Sequence, residues 1–465
     1  MVRKISSSRL LLPGAMALLM AMVYYSFGTK FFLASLVLFL GGTLSLIDLR
    51  VGIFGLTFMM PFLPNTLAAG AYLGLFVIYF LRRIFIEKES SQRSLYFPVI
   101  FLYLLVILIQ TFTSFYVRGS LRDLFLHACG ILYLFVIVNS LKTKEDLNSF
   151  ITVLIATVSL VALIGLLQVF TGVEISREWL DVDSNPDIQV RVYSVFGNPN
   201  TLAEYLVFFS PLTIAMFWHT KSLKKKIVFG LSSALMMLTL VYTMSRGGWI
   251  GIAMAALVFC LLVDKRLLLL SIPLVFAALA FLPPSILNRI LSIGNFADTS
   301  NAHRFNIWAI TKNLIRDHKI AGVGFGYMPF KEVYETYSRT INSFHAHNSF
   351  LETIAELGYL GFSVFMAMLL TFIFYPIKAL VKSHRPGLED SYFKYIGVGV
   401  AAGIVGVFTH GLVENILYLP KIILSFWTLV GLGAAAINVY EADKPLIVKN
   451  QDQVYKIYRS SDIDG

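Results

Sequence analysis

Long apolar runs alternate with short polar breaks over almost the whole chain. The runs stand at 10–27, 30–47, 96–115, 121–139, 148–170, 200–218, 227–243, 247–263, 267–282, 348–375, 396–414 and 420–438. Most approach the roughly 20 residues that carry a helix across a bilayer. The pattern predicts an all-α, polytopic membrane protein with about 12–14 transmembrane helices. The stretch 51–81 is interrupted by Pro61, Pro64 and Asn65, and each half is short for a span. It reads as a tight helix pair or a re-entrant hairpin.

Charge sets the expected orientation. Basic residues gather at Arg82, Arg83, Lys88 and Arg93, at Lys142 and Lys144, and at Lys221 with Lys224 to Lys226. Further groups are Lys265 with Arg266, then Lys378, Lys382, Arg385 and Lys394. Short basic loops face the cytoplasm. Counting spans between them works only if 51–81 starts and ends on one side, which puts both termini in the cytoplasm. Two long polar segments then fall outside, 171–199 and 283–347. The second holds seven Lys/Arg, four Asp/Glu and four His. Long loops are largely exempt from the charge rule, so an external basic loop is admissible and points to an external anion.

The chain divides into N-terminal transmembrane helices at 1–170, an external loop at 171–199 and transmembrane helices at 200–282. A large external catalytic loop with amphipathic helices follows at 283–347, then C-terminal transmembrane helices at 348–438 and a cytoplasmic tail at 439–465. Composition agrees: 57% of the 465 residues are hydrophobic and 14% charged, against roughly 25% charged in soluble domains. The formal charge of +11 sits mostly in loops between apolar runs, so nucleic acid is not an expected partner; the lipid bilayer is. Cys129 and Cys260 lie inside apolar runs without CxxC spacing and imply no disulfide or thiolate site. Arg3, Lys4 and Arg9 precede the first run, but no small-x-small cleavage site follows, so it reads as a retained helix.

Candidate chemistry gathers where external loops meet helices. His345 and His347 close the second loop, and Ser349-x-x-Glu352 has capping-box spacing. A helix starting there would set its positive dipole end beside His347, favouring a neutral ring able to accept a proton. No third ligand accompanies the histidines at metal spacing, so no metal and no other cofactor is expected. Ser245-Arg246-Gly247 lies at the external end of a span, where an arginine suits an anion better than an anchoring role. Asn198 and Asn200 flank Pro199 at another helix start, with Arg191 upstream. His410 and Glu414 are four apart on one predicted helical face. In 301–320, Phe305, Trp308, Ala309 and Ile315 mark an interfacial amphipathic helix, on which Lys312 and Arg316 read equally well as passive. Gly322, Gly324 and Gly326 lack the surroundings of a nucleotide loop and read as a tight turn.

These residues together resemble the O-antigen ligase and O-antigen polymerase superfamily. The resemblance is carried by His347-Asn348-x9-Gly358-x-x-Gly361, by Ser245-Arg246-Gly247, by Arg304-x-x-x-Trp308 ahead of a glycine turn, and by Phe196-Gly-Asn-Pro-Asn200. It covers about residues 190–420; the first 150 match only as membrane helices. It implies a metal-independent, inverting glycosyltransferase in the bacterial inner or plasma membrane. Such enzymes move a glycan from undecaprenyl diphosphate to a glycan or lipid acceptor on the external face. By motif, His347 is the catalytic base, and Arg246 and Arg304 bind the diphosphate. Arg191 is a further diphosphate ligand, and His345, Asn348, His410 and Glu414 are site walls. The alternatives are a protein O-oligosaccharyltransferase of the same superfamily and a polysaccharide flippase or transporter. A transporter predicts inverted repeats and mid-membrane ionisable residues; no repeat is visible, and the ionisable residues sit at helix ends.

Overall fold

The computed structural model describes residues 22, 25, 26, 28–87, 92–173, 190–280, 283–294, 299–382, 391–443, 446–450 and 453–457. Most of the expected first helix, the acidic part of the expected first external loop and part of the tail lie outside these residues.

The apolar runs fold as helices because no other open-ended backbone satisfies its own hydrogen bonds away from water. In order they are α1 (Thr29–Ile47), α2 (Leu49–Met59), α3 (Asn65–Arg82), α4 (Tyr96–Phe112), α5 (Val117–Ser140), α6 (Lys144–Thr171), α7 (Pro199–His219), α8 (Leu223–Tyr242), α9 (Arg246–Val263) and α10 (Arg266–Ala280). The large loop contains α11 (Pro284–Leu291), α12 (Thr299–Asp317) and α13 (Tyr327–Tyr337). Three long helices complete the bundle: α14 (Ser349–Pro376), α15 (Tyr392–His410) and α16 (Pro420–Asp443). A short antiparallel hairpin, Leu446–Asn450 with Gln453–Ile457, follows α16. Among the described residues nine helices are long and apolar enough to cross a membrane, and α2 and α4 are shorter apolar helices.

The ambiguous stretch 51–81 is a helix pair, α2 and α3. At one end Arg50 pairs with Asp146, 2.9 Å, at the start of α6. At the other, Lys421 Nζ donates to the Pro61 carbonyl, 2.6 Å, at the start of α16. The pair therefore runs from the start of α6 to the start of α16.

The core sits between α5, α6, α7, α15 and α16, where every α16 residue from Ile422 to Ile437 is buried. Small residues on α15 let backbones approach. A side chain at Gly399 would lie 2.6 Å from the Leu212 Cα, and one at Gly406 would lie 2.9 Å from the Gly251 carbonyl.

α14 is broken at Gly358, whose φ is 66°. The break frees carbonyls that residues 319–324 then engage. Val323 N–H donates to Ala355 O (2.9 Å), Gly324 N–H to Glu356 O (3.1 Å), and Tyr359 N–H to Lys319 O (2.9 Å). The glycine stretch 322–326 is thus an extended strap against a helix break, not the expected simple turn. Side chains at Gly322 and Gly358 would run into the Glu356 and Ile320 carbonyls.

α12 buries Ile307, Thr311, Leu314 and Ile315. Phe305 and Ala309 are exposed, so the expected apolar face is rotated. The helix packs on α13 and α14, and that packing selects the face. Lys312 and Arg316 lie on its exposed side.

Candidate active site

Three helix starts meet at one end of the bundle. Asn198 caps α7, accepting from the backbone N–H of Asn200 (2.8 Å). Ser245 caps α9. Asn348 caps α14, accepting from Phe350 N–H and Leu351 N–H, both 3.0 Å. The residues at or shortly before these caps include the three non-glycine residues with left-handed backbone among those described: Ser194 (φ 50°), Met244 (φ 54°) and His347 (φ 48°). Such residues cost of order 1–3 kcal/mol and persist where surroundings over-determine them, commonly at functional sites. Helix starts also present N–H groups and positive dipole ends to anions.

The capping box at Ser349 is corrected. Ser349 Oγ donates to Glu414 O (3.0 Å) and accepts from Ile416 N–H (2.9 Å). With that hydroxyl committed to the 411–419 loop, Asn348 takes the cap. Glu352 accepts from the Ala346 N–H instead. The Trp308 indole N–H bonds the Ala346 carbonyl, 2.9 Å, tying α12 to the histidine loop.

Glu414 is the hub. The expectation that it shares a helical face with His410 is corrected: α15 ends at His410, and Glu414 arrives from the following loop. Its Oε1 lies 2.9 Å from His347 Nδ1 and 4.0 Å from His345 Nδ1. Its Oε2 accepts from Asn200 Nδ2, 2.9 Å, and lies 4.0 Å from an Arg304 nitrogen. Asn200 in turn accepts from Arg191, 3.1 Å, whose Nε also bonds Thr243 O, 3.0 Å. A continuous chain therefore runs Arg191–Asn200–Glu414–His347. Burial pushes the Glu414 carboxyl up, but the charge and hydrogen bond of His347, then His345 and Arg304, outweigh it and hold it well below the usual range. Glu414 is a carboxylate, so the ring nitrogen facing it, Nδ1, is the one that carries a proton, and Nε2 is the ring position open to exchange one.

Beside this chain lies a cavity of about 90 Å³ lined by Arg191, Arg246, Arg289 and Arg304, with Asn200, Asn301, His410 and Glu414. A water takes roughly 10–15 Å³ on this measure, so the space admits a compact, strongly charged group. Arg246 donates to Ser292 O (3.1 Å) and Oγ (3.3 Å). Arg289 Nε donates to the Met244 carbonyl, 3.3 Å. Burial, followed by the charges of Arg289, Arg246 and Arg304, pushes the Arg191 guanidinium down to about 9, and Glu414 only partly offsets this. An anion in the cavity would relieve that mutual repulsion.

Of the residues expected from sequence, Arg191, Arg246, Arg304, His410 and Glu414 line the cavity. His345 and His347 reach it through Glu414. Asn348 serves as the cap and donates to Leu412 O, 2.9 Å. Two participants were not anticipated. Arg289 lies in a short helix whose sequence carries no motif. Asn200 was read as a cap, although Pro199 at the first helical position favours Asn198 for that role.

Glu414 also supplies the third group that the local sequence lacks around His345 and His347. Their candidate ligand atoms all lie within 4.8 Å of one another. The surroundings fit a cation poorly. His345 Nδ1 already accepts the His347 N–H, 3.2 Å, and four arginines line the adjoining cavity.

No curated protein matches the chain. Residues 231–366 match the family model described as O-antigen ligase, over a stretch holding Arg246, Arg289, Arg304, His345 and His347, and the match supports the O-antigen ligase and polymerase superfamily for this multi-pass bacterial membrane protein.

Proposed function

We propose that the protein transfers a glycan from undecaprenyl diphosphate to a hydroxyl of a glycan or lipid acceptor on the external side of the membrane, without a metal and with inversion. The observation that carries this reading is the Arg191–Asn200–Glu414–His347 chain set against a cavity lined by four arginines. In the proposed step the acceptor O–H gives its proton to His347 Nε2 while its oxygen attacks the anomeric carbon. The bond from that carbon to the diphosphate oxygen breaks, and undecaprenyl diphosphate leaves with the electron pair. A single displacement inverts the centre. Arg191, Arg246, Arg289 and Arg304 hold the charge that grows on the leaving diphosphate. Glu414 orients the base and stabilises the imidazolium formed. Binding energy spent on the diphosphate needs no nucleotide pocket, in keeping with an external compartment.

The test is reconstitution in proteoliposomes with a lipid-linked oligosaccharide and candidate acceptors. Growth of a ladder on the donor lipid identifies a polymerase, and single transfer to a distinct acceptor a ligase. His347→Ala should abolish transfer at normal protein level and donor supply. Full activity in that variant would remove the base assignment.

A further inference from the structure

Glu414 divides the site. Its Oε2 faces Asn200 and Arg304, and its Oε1 faces the two histidines. The arginine cavity has no Tyr, Trp or Phe among its lining residues. On the histidine side the surroundings change character.

From His347 a ladder of rings leads away from the cavity. The His347 and His345 ring centres are 4.1 Å apart, and His345 and Tyr418 are 4.7 Å apart. Tyr418 and Tyr327 follow at 6.2 Å, edge to face. The Arg122 guanidinium lies 5.2 Å from the Tyr327 ring centre. Beyond the two histidines, three separate elements supply these groups: the 411–419 loop for Tyr418, the start of α13 for Tyr327 and the start of α5 for Arg122. Tyr327 is held through its backbone, whose N–H donates to Asp123 Oδ2, 3.2 Å. Gly326, with φ 98°, lets the chain pass so close to Asp123 that a side chain there would collide. Both tyrosines are half-buried, and the Arg122 side chain is exposed.

A glycosyl transfer centred on His347 needs room for a second, polyhydroxyl reactant. We propose that Tyr327, Tyr418 and Arg122 form the binding platform for the acceptor sugar, on the opposite side of Glu414 from the donor diphosphate. A pyranose offers a face of C–H groups with positive partial charge, which the negative face of an aromatic ring attracts. Its hydroxyls find donors and acceptors in the tyrosine O–H groups and donors in Arg122. The ladder leads from this platform through the buried His345 ring to His347, so a sugar bound there lies one ring removed from the base and can extend a hydroxyl toward it. This inference rests on His347 as the base.

Binding measurements test it without turnover. The full-length protein in nanodiscs is titrated with two probes. One is the oligosaccharide released by mild acid from the host's lipid-linked glycan, which lacks the diphosphate. The other is undecaprenyl diphosphate, which lacks the sugar. Tyr327→Ala and Tyr418→Ala should each weaken oligosaccharide binding about tenfold, the scale of one lost aromatic contact, and leave undecaprenyl diphosphate binding unchanged. Tyr418→Phe, which keeps the ring, should retain most of the oligosaccharide affinity. Unchanged oligosaccharide affinity in the alanine variants overturns the platform. So does equal loss of both probes, which would make the rings merely structural, and so does the absence of saturable oligosaccharide binding by the unmodified protein. Failure of the base assignment is read separately, from transfer by His347→Ala.

Discussion

Glu414→Gln exchanges one heavy atom at the hub of the site, and the structure dictates which way the amide turns. Arg191 donates to Asn200 Oδ1, 3.1 Å, which leaves Asn200 Nδ2 pointing at Glu414 Oε2, 2.9 Å. An Arg304 nitrogen lies 4.0 Å from the same oxygen. Both neighbours are donors, so a glutamine must turn its oxygen toward them and its NH2 toward His347. The Asn415 N–H opposes this at 3.3 Å from Oε1, one long bond against two donors of which one is charged. The amide then donates to His347 Nδ1, and the ring proton moves to Nε2. A protonated Nε2 takes no proton from an acceptor hydroxyl. Removing a general base costs about 10²–10⁴ in rate, or about 2.7–5.4 kcal/mol at 1.36 kcal/mol per tenfold. The comparable Asp→Asn change in serine-protease triads falls at about 10⁴, for the same tautomeric reason. The assay is single-turnover transfer in proteoliposomes at saturating donor, with undecaprenyl diphosphate affinity measured separately. Affinity should hold or tighten, because the substitution removes a negative charge beside four arginines. A rate within about threefold of the unmodified protein, well short of the general-base contribution, would refute the tautomer argument. So would a loss expressed wholly as weaker donor binding.

Arg246→Lys keeps charge but loses the planar fork that also bonds Ser292. Losing one charge-assisted bond of about 1.5–3 kcal/mol should weaken undecaprenyl diphosphate binding by about 10–100-fold; near-normal affinity would make Arg246 an anchor. Burial, then the charge of His347, pushes the His345 imidazole down to about 3 from 6.5. The folded protein therefore binds fewer protons at this ring than the unfolded chain, and its stability falls as pH drops below 6.5 toward 3, by up to about 1.4 kcal/mol per pH unit. Thermal unfolding between pH 7 and pH 4 should show that slope flattened in His345→Gln, and an unchanged slope would contradict it. Gly358→Ala forces a Cβ into the Ile320 carbonyl at φ 66°, so the folded state should lose at least about 1–3 kcal/mol, read as a lower unfolding temperature in detergent.

The spans were legible because lipid imposes a one-dimensional signal: an apolar run is itself the evidence, and α7, α8, α9 and α16 begin or end within a few residues of theirs. Side-chain identity at helix starts was legible only as far as neighbours decide it. Pro199 selects Asn198 as the cap and releases Asn200 for the hub. Nothing local tells that Ser349 spends its hydroxyl on residues 414 and 416, about 65 positions away. The same holds for Arg289, whose place in the cavity depends on a short helix folding back over the turn at Met244. The left-handed residues make the point physically. Ser194, Met244 and His347 are not residues whose sequence announces φ near +50°. Two are held by bonds from elsewhere and one by a near neighbour: Gln168 Oε1 accepts from Ser194 N–H (2.8 Å), Arg289 binds the Met244 carbonyl (3.3 Å), and His345 Nδ1, two residues away, accepts from His347 N–H (3.2 Å). Local preference at these three positions opposes the geometry that the site uses. His347 is therefore positioned by a near neighbour, His345, and by Glu414, 67 positions away, and substitutions at Gln168 act on the site through the backbone it holds rather than through any substrate it touches.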